Sequence, residues 1–253
     1  SILQLLRVKP YSLLSEQRTM PTKQYNTKQK RAVKKQITEG VFEFVKTSRP
    51  HKKFKCFLCL PSTTAKDVAE ALKQGVIDKN TKIIVIEKEA SYLPRIKARL
   101  TRLGFGSDSR FIINKQISDI TVDDIEMACV ELDVDGIDLF YIDTCNCLTY
   151  ALQRWIKKIV SYKRTEDAVV VTNLLAARWV KDIKQYDNEP LFDYFSRIPF
   201  AGGNVNKWAK PIASCLEHRT EMTTALTVGY KDTVPMMLCV NLDVPYTNTR
   251  KQN

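Results

Sequence analysis

The chain has 253 residues, of which 44% are hydrophobic, and a formal net charge of +12. That length suits one large domain or one domain with appendages, with enough apolar residues for a sizeable core. No apolar run reaches the roughly 18 residues of a membrane span, and seven scattered cysteines, an odd number, argue for a reducing intracellular compartment (cytoplasm, nucleus or organelle) over a disulfide framework.

Residues 1–26 read as an N-terminal extension or leader, and residues 1–19 are left out of the fold. Residues 27–253 read as one domain that begins with a basic helix. Over residues 27–47, Val33, Ile37, Val41, Phe42 and Val45 fall at helical spacing. The same stretch carries Lys28, Lys30, Arg31, Lys34 and Lys35, and Lys52 and Lys53 follow it. Residues 21–60 hold eleven basic and two acidic residues, whereas residues 61–253 hold 26 and 25. So the positive charge belongs to the N-terminal part. Charge concentrated in this way attracts phosphate backbones through counterion release, which makes nucleic acid the expected partner. A solvated helix face or an acidic protein partner would use the same residues.

"FKCFLCL" (54–60) is predicted to be a near-continuous apolar strand. Its Cys56 and Cys59 have CxxC spacing, but residues three apart on a strand face opposite sides. A closed zinc site needs four ligands, so no metal is expected. "PSTTAKDVAEALKQGV" supplies Ser and Thr caps ahead of a helix. "KIIVIEKE" is the second strand, and it runs into "SYLPRIKARLTRLG", a helix with Pro94 in its first turn. "RFIINK" is a third strand, "VDDIEMACVEL" a helix, "IDLFYIDTCN" a fourth strand and "LTYALQRWIKKIVSY" a helix. "DAVVVTN" is a fifth strand, and "LLAARWVKDIKQY" is predicted to continue as a helix. In residues 194–211, Arg197, Lys207 and Lys210 alternate with aromatic side chains, a pattern that holds a nucleic-acid strand or packs on a sheet. "EMTTALTVGY" and "PMMLCVNLDV" are two extended runs joined by a short link, an antiparallel hairpin.

Strands that alternate with helices imply right-handed βαβ units and a parallel sheet covered on both faces. Five such steps and a closing hairpin resemble the Rossmann-like methyltransferase fold that binds S-adenosylmethionine (SAM), over about residues 41–244. The resemblance implies an α/β fold with a mainly parallel sheet, helices on both faces and a C-terminal antiparallel hairpin. It also implies SAM as cofactor, bound beyond the carboxyl ends of the strands. There the family's second strand ends in an acid that accepts from both ribose hydroxyls. Glu87 or Glu89 fits, Glu87 more closely, although a glutamate also suits a helix N-terminus. The family's first loop is usually rich in glycine. Here Pro61, Ser62 and Thr63 stand in that loop, with no glycine from Leu60 to Asp67. After the third strand the family often places an acidic residue near the adenine, and Gln116, or less clearly Asp119, stands there.

The fourth strand ends at Asp143, where base-amino methyltransferases carry a D/N-P-P-aromatic motif. Asp143 fits the first position, and Asn146 is the nearby polar residue of a "DTCN" run that otherwise departs from it. Ribose 2′-O methyltransferases use a Lys-Asp-Lys-Glu set whose second lysine the fifth strand would supply, and Asn173 stands there instead. The resemblance therefore implies a SAM-dependent methyltransferase acting on DNA or RNA. The alternative is a methyltransferase-like subunit without catalysis that binds nucleic acid or a protein assembly.

Overall fold

A computed structural model of the chain describes residues 28–144, 148–175, 214–231 and 235–243. The expected extension over residues 1–26 and the basic, aromatic segment over residues 194–211 lie outside them. In chain order the elements are α1 (Lys28–Ser48), β1 (Cys56–Cys59), α2 (Lys66–Lys73), β2 (Lys82–Ile86), α3 (Leu93–Arg102), β3 (Arg110–Ile113), α4 (Val122–Leu132), β4 (Ile137–Asp143), α5 (Tyr150–Lys163), β5 (Arg164–Leu175), β6 (Thr223–Lys231) and β7 (Pro235–Leu242).

Seven strands among the described residues form one sheet in the order β3-β2-β1-β4-β5-β7-β6. The pairs among β1 to β5 are parallel, and β7 runs antiparallel to both β5 and β6. The expected mixed sheet and its closing hairpin are both present. The strand order reverses between β1 and β4, which places the crevice where such sheets bind ligands at the carboxyl ends of those strands.

Each face of the sheet carries its own core. Ile37, Val41, Phe42 and Val45 of α1 pack with Val68 and Ala71 of α2 and Ile96 and Leu100 of α3 on one face. Ile125, Ala128 and Leu132 of α4 pack with Leu152, Trp155, Ile156 and Ile159 of α5 on the other. β1 is buried along its whole length, as a central parallel strand covered twice must be. Cys56 enters one core and Cys59 the other, so the CxxC spacing is split across the sheet. Burial pushes both thiols well above their usual range, which makes them inert packing groups. Among the described residues no cluster of His, Cys, Asp or Glu could hold a metal ion, and no helix is long and apolar enough to cross a membrane.

The amino end of the sheet is tied down by Asp138, which is 5% exposed. Its carboxylate accepts from the Lys55 and Cys56 N–H groups at 2.7 and 2.9 Å and from the Thr165 hydroxyl at 2.7 Å, and Lys52 pairs with it at 3.3 Å. A buried charge persists when it is paired and hydrogen-bonded in this way.

The structure corrects three local expectations. The hydroxyls before α2 do not cap it: Ser62 and Thr64 hydrogen-bond each other at 2.8 Å, and the N-cap is Ala65, with no side-chain cap bond. β5 begins at Arg164, earlier than expected, because Asp167 adopts φ 61° and a register shift between Ile137 and Leu139 lets the strand carry the irregularity. Leu174 and Leu175 extend β5 and do not start a helix, because β7 pairs with both. The remainder of that predicted helix lies outside the described residues.

Candidate functional site

The parallel strands all end on one rim. β1 leads into the loop from Leu60 to Ala65, β2 ends before Glu87, β4 ends at Asp143, and β5 places Asn173 beside it. Above this rim lies a cavity of about 630 Å³, the size of a cofactor site. α1 contributes Lys34, Lys35 and Thr38 to its wall, the first loop Leu60 and Ser62 to Thr64, α2 Asp67 and Glu70, and β4 Tyr141 and Asp143.

α1 forms one side because its apolar stripe is fixed by aromatic packing. Phe42 stacks on Tyr141 at 5.4 Å between ring centres and meets Phe57 edge-on at 6.3 Å. Lys34 lies two turns toward the N-terminus from Phe42 and so reaches the rim. Its Nζ donates to Asp143 Oδ2 at 2.8 Å, and Asn173 Nδ2 donates to Asp143 Oδ1 at 3.2 Å. The Asp143 side chain is 6% exposed and that of Lys34 41%, so the carboxylate is fixed and the ammonium faces the cavity and water.

Asp67 is the second carboxyl in the wall. Burial raises it to about 6, and the nearby Asp143 charge adds to the rise, while the Val68 N–H and Lys34 act against it. Asp67 and Asp143 therefore line one cavity together with Glu70, Lys34, Lys35 and Lys66.

The first loop lacks glycine, yet it contains a left-handed residue. Ala65 has φ 43° and ψ 49° and is fully buried. It is held by its N–H donating to Ser62 O at 2.8 Å and its carbonyl accepting from Ala69 N–H at 3.0 Å. The turn that glycine would make easily is made here by the smallest side chain, at a cost of about 1–2 kcal/mol. Ser62 and Thr63 line the cavity, while Pro61 is buried beneath the loop.

Glu87 stands at the carboxyl end of β2. Its Oε1 accepts from the Glu89 N–H at 2.8 Å, and the carbonyls of Glu87 and Lys88 accept from Asn114 Nδ2 at 2.7 and 3.1 Å. The turn is thereby fixed, and the second oxygen of Glu87 has no partner among the described residues. Glu89 is exposed and precedes a short 3-10 turn, and Gln116 is exposed ahead of another. None of these three lines the cavity around Asp143.

The basic residues separate. Lys34 and Lys35 are at the rim, and Lys35 pairs with Glu39 at 3.7 Å. Lys52 and Lys53 precede β1 and so lie at the opposite end of the sheet. Lys52 is committed to Asp138, while Lys53 is exposed. Lys28, Lys30 and Arg31 belong to α1, but their side chains lie outside the description, as do Asn146, Arg197 and Lys207 altogether. The sequence reading missed Asp67, the pairing of Lys34 with Asp143, and the place of Tyr141 in the wall. Asp67 carried a signal, an acid just after the first loop. The other two depend on α1 folding over β4.

This strand order, with a rim that joins a β1 loop, a β2 acid and a β4 acid, defines the Rossmann-like methyltransferase class of fold. Solved structures share it. Magnesium protoporphyrin IX methyltransferase (ChlM) from Synechocystis PCC 6803 with bound SAH matches at TM-score 0.51 and 8% identity, over 86% of this chain and 86% of that one. The N-methyltransferase NodS from Bradyrhizobium japonicum WM9 matches at TM-score 0.50 and 8% identity, over 85% of this chain and 97% of its own. No family model matches the chain, and no curated protein matches it in sequence.

Proposed function

We propose that this chain is a SAM-dependent methyltransferase acting on nucleic acid, DNA or RNA. The observation that carries the reading is the Lys34–Asp143 contact: a fixed carboxylate at the end of β4, paired with a partly exposed ammonium, inside a cofactor-sized cavity on the ligand-binding rim. The residues fit the cofactor at two further points. Glu87, at the neighbouring strand end and outside the lining of that cavity, has an oxygen available for ribose hydroxyls, and the left-handed Ala65 turns the loop backbone as a glycine would. When bound, SAM supplies a methyl group on a sulfonium, open to in-line displacement in which positioning does most of the work.

This chain's residues would do the positioning. Asp143 accepts a hydrogen bond from the acceptor group, and Asn173 holds its other oxygen. Lys34 stabilises negative charge on the acceptor or on a neighbouring phosphate. Asp67, which lines the same cavity and is raised to about 6, would take up the proton released on transfer. Lys34 and Asp143 supply a lysine–aspartate pair of the kind in the Lys-Asp-Lys-Glu set of ribose 2′-O methyltransferases, with Asn173 in the strand-end place of its second lysine.

A second reading, a methyltransferase-like subunit that binds nucleic acid without catalysis, is favoured by the engagement of both Asp143 oxygens within the protein. Calorimetric titration with SAM separates the two. On the enzyme reading the wild type binds. Glu87→Ala then loses about 1.5–3 kcal/mol, the range for hydrogen bonds to a charged group, or roughly ten- to a hundredfold in affinity. Asp143→Ala keeps SAM affinity and loses turnover. No heat of binding at millimolar SAM sinks the enzyme reading and leaves the second.

A further inference from the structure

A second basic surface lies on the other face of the sheet from α1. α5 carries Arg154, Lys157, Lys158 and Lys163 and no acidic residue. Arg154 and Lys158 are four residues apart, a like-charge spacing that destabilises a helix. Lys35 pairs with Glu39, Lys73 with Glu39 and Glu70, and Lys163 of α5 itself with Glu126, while Lys46 of α1, Lys66 of α2 and Lys97 of α3 have no ion-pair partner among the described residues. Lys157 and Lys158 are exposed and have no ion-pair partner among the described residues.

They border a groove of about 600 Å³, whose other wall is the segment from Ser118 to Thr121 that follows β3. Trp155 also lines it, 4% exposed, and its indole N–H is shielded and has no acceptor among the described residues. α5 follows the carboxyl end of β4, and the opposite wall follows the carboxyl end of β3. The groove therefore opens beside the same rim as the cavity, with Lys34 and Lys35 approaching from α1 on the opposite face.

We infer that this α5 groove holds the phosphate backbone of a nucleic acid that crosses the rim, with phosphates on α5 at one side and on the start of α1 at the other. The inference rests on the nucleic-acid reading above and adds the path of the polymer. The wall opposite α5 carries one exposed carboxylate, Asp119, and the Ser118 and Thr121 hydroxyls are engaged by Asp119 and Asp124, so the groove's suitability for a phosphodiester chain comes from its concave shape and from Arg154, Lys157 and Lys158 outnumbering that one acid. A membrane surface would instead call for a row of exposed large apolar side chains, and the exposed positions of α5 include one, Tyr162.

The test uses the full chain and fluorescently labelled single-stranded RNA, single-stranded DNA and duplex DNA, titrated at several salt concentrations. Vesicles containing an anionic lipid serve as counter-probe. The variant is Lys157→Glu with Lys158→Glu, both at exposed positions, with folding confirmed by circular dichroism. The wild type should bind at least one nucleic acid, and the variant should bind it at least tenfold more weakly. The slope of log affinity against log salt should flatten by about 0.7 per lost contact on a single strand or 0.9 on a duplex. If the wild type binds and the folded variant matches it in affinity and slope, the groove is not the path, although the nucleic-acid reading stands. If the wild type binds no nucleic acid, that reading and the groove fall together. If the variant loses vesicle binding and keeps nucleic-acid binding, the surface belongs to a membrane and the inference is overturned.

Discussion

Asp67 is the carboxyl whose chemistry the fold changes most clearly. Its carboxyl titrates at about 6 in the folded chain, against an ordinary value of 3.8, chiefly because it is buried. The folded state therefore holds the proton more tightly than the unfolded state. Acidification through pH 6 adds stability, and the gain is complete below about pH 4. Asp67→Asn should accordingly stabilise the fold at pH 7.5, by up to about 3 kcal/mol, and change little at pH 3.5. Urea melts of both proteins at the two pH values check this, and a difference that does not vary with pH would contradict it. Neither this burial nor the partner of Asp143 was legible in the sequence. Asp143 itself was, because it closes an apolar run that had to be a strand. Its contact with Lys34 spans 109 positions, and only the packing of α1 decides it. Glu87 was legible for the same reason as Asp143, while the unexpected part is that one of its oxygens serves its own turn.

At the scale of elements, α1 connects packing to the site. Phe42 is fully buried between Tyr141 and Phe57, and through it the helix that carries Lys34 is fixed against β4. Phe42→Ala should cost about 3–5 kcal/mol. Because Lys34 depends on that seat and is assigned to the acceptor or its phosphate, nucleic-acid affinity should fall more than the same substitution would cause at Phe105, another fully buried phenylalanine. Fluorescence anisotropy with labelled nucleic acid on Phe42→Ala and Phe105→Ala makes the comparison, and equal losses would show that α1 does not position the site. The alternation of strands and helices was readable because buried parallel strands leave near-continuous apolar runs and the helices show a 3.6-residue period. Two boundaries were not. Ala65 and Asp167 both adopt positive φ without being glycine, a choice imposed by tertiary contacts on residues whose own preference is otherwise.

Across the whole molecule, charge is sorted by the two ends of the sheet. The sequence showed a basic N-terminal part, but a linear count cannot reveal that α1 runs back along the sheet and divides that part between the ends. Lys34 and Lys35 stand at the rim, while Lys53 and the committed Lys52 stand at the amino end of β1. A polymer over the rim should ignore the far end. Lys53→Glu should therefore leave nucleic-acid affinity and salt slope unchanged, as measured by fluorescence anisotropy, whereas a loss comparable to that of a rim variant would move the binding surface. The sheet order has a further consequence, for the chain during its synthesis. β7 lies between β5 and β6, so β5 gains its outer neighbour only after the later strand has emerged. At roughly 5–20 residues per second, translation leaves that edge bare for several seconds. β5 is twelve residues long and rich in valine, the type of strand that pairs with other chains when uncovered. A nascent chain that had already assembled β1 to β5 would thus expose an aggregation-prone edge until β7 arrived.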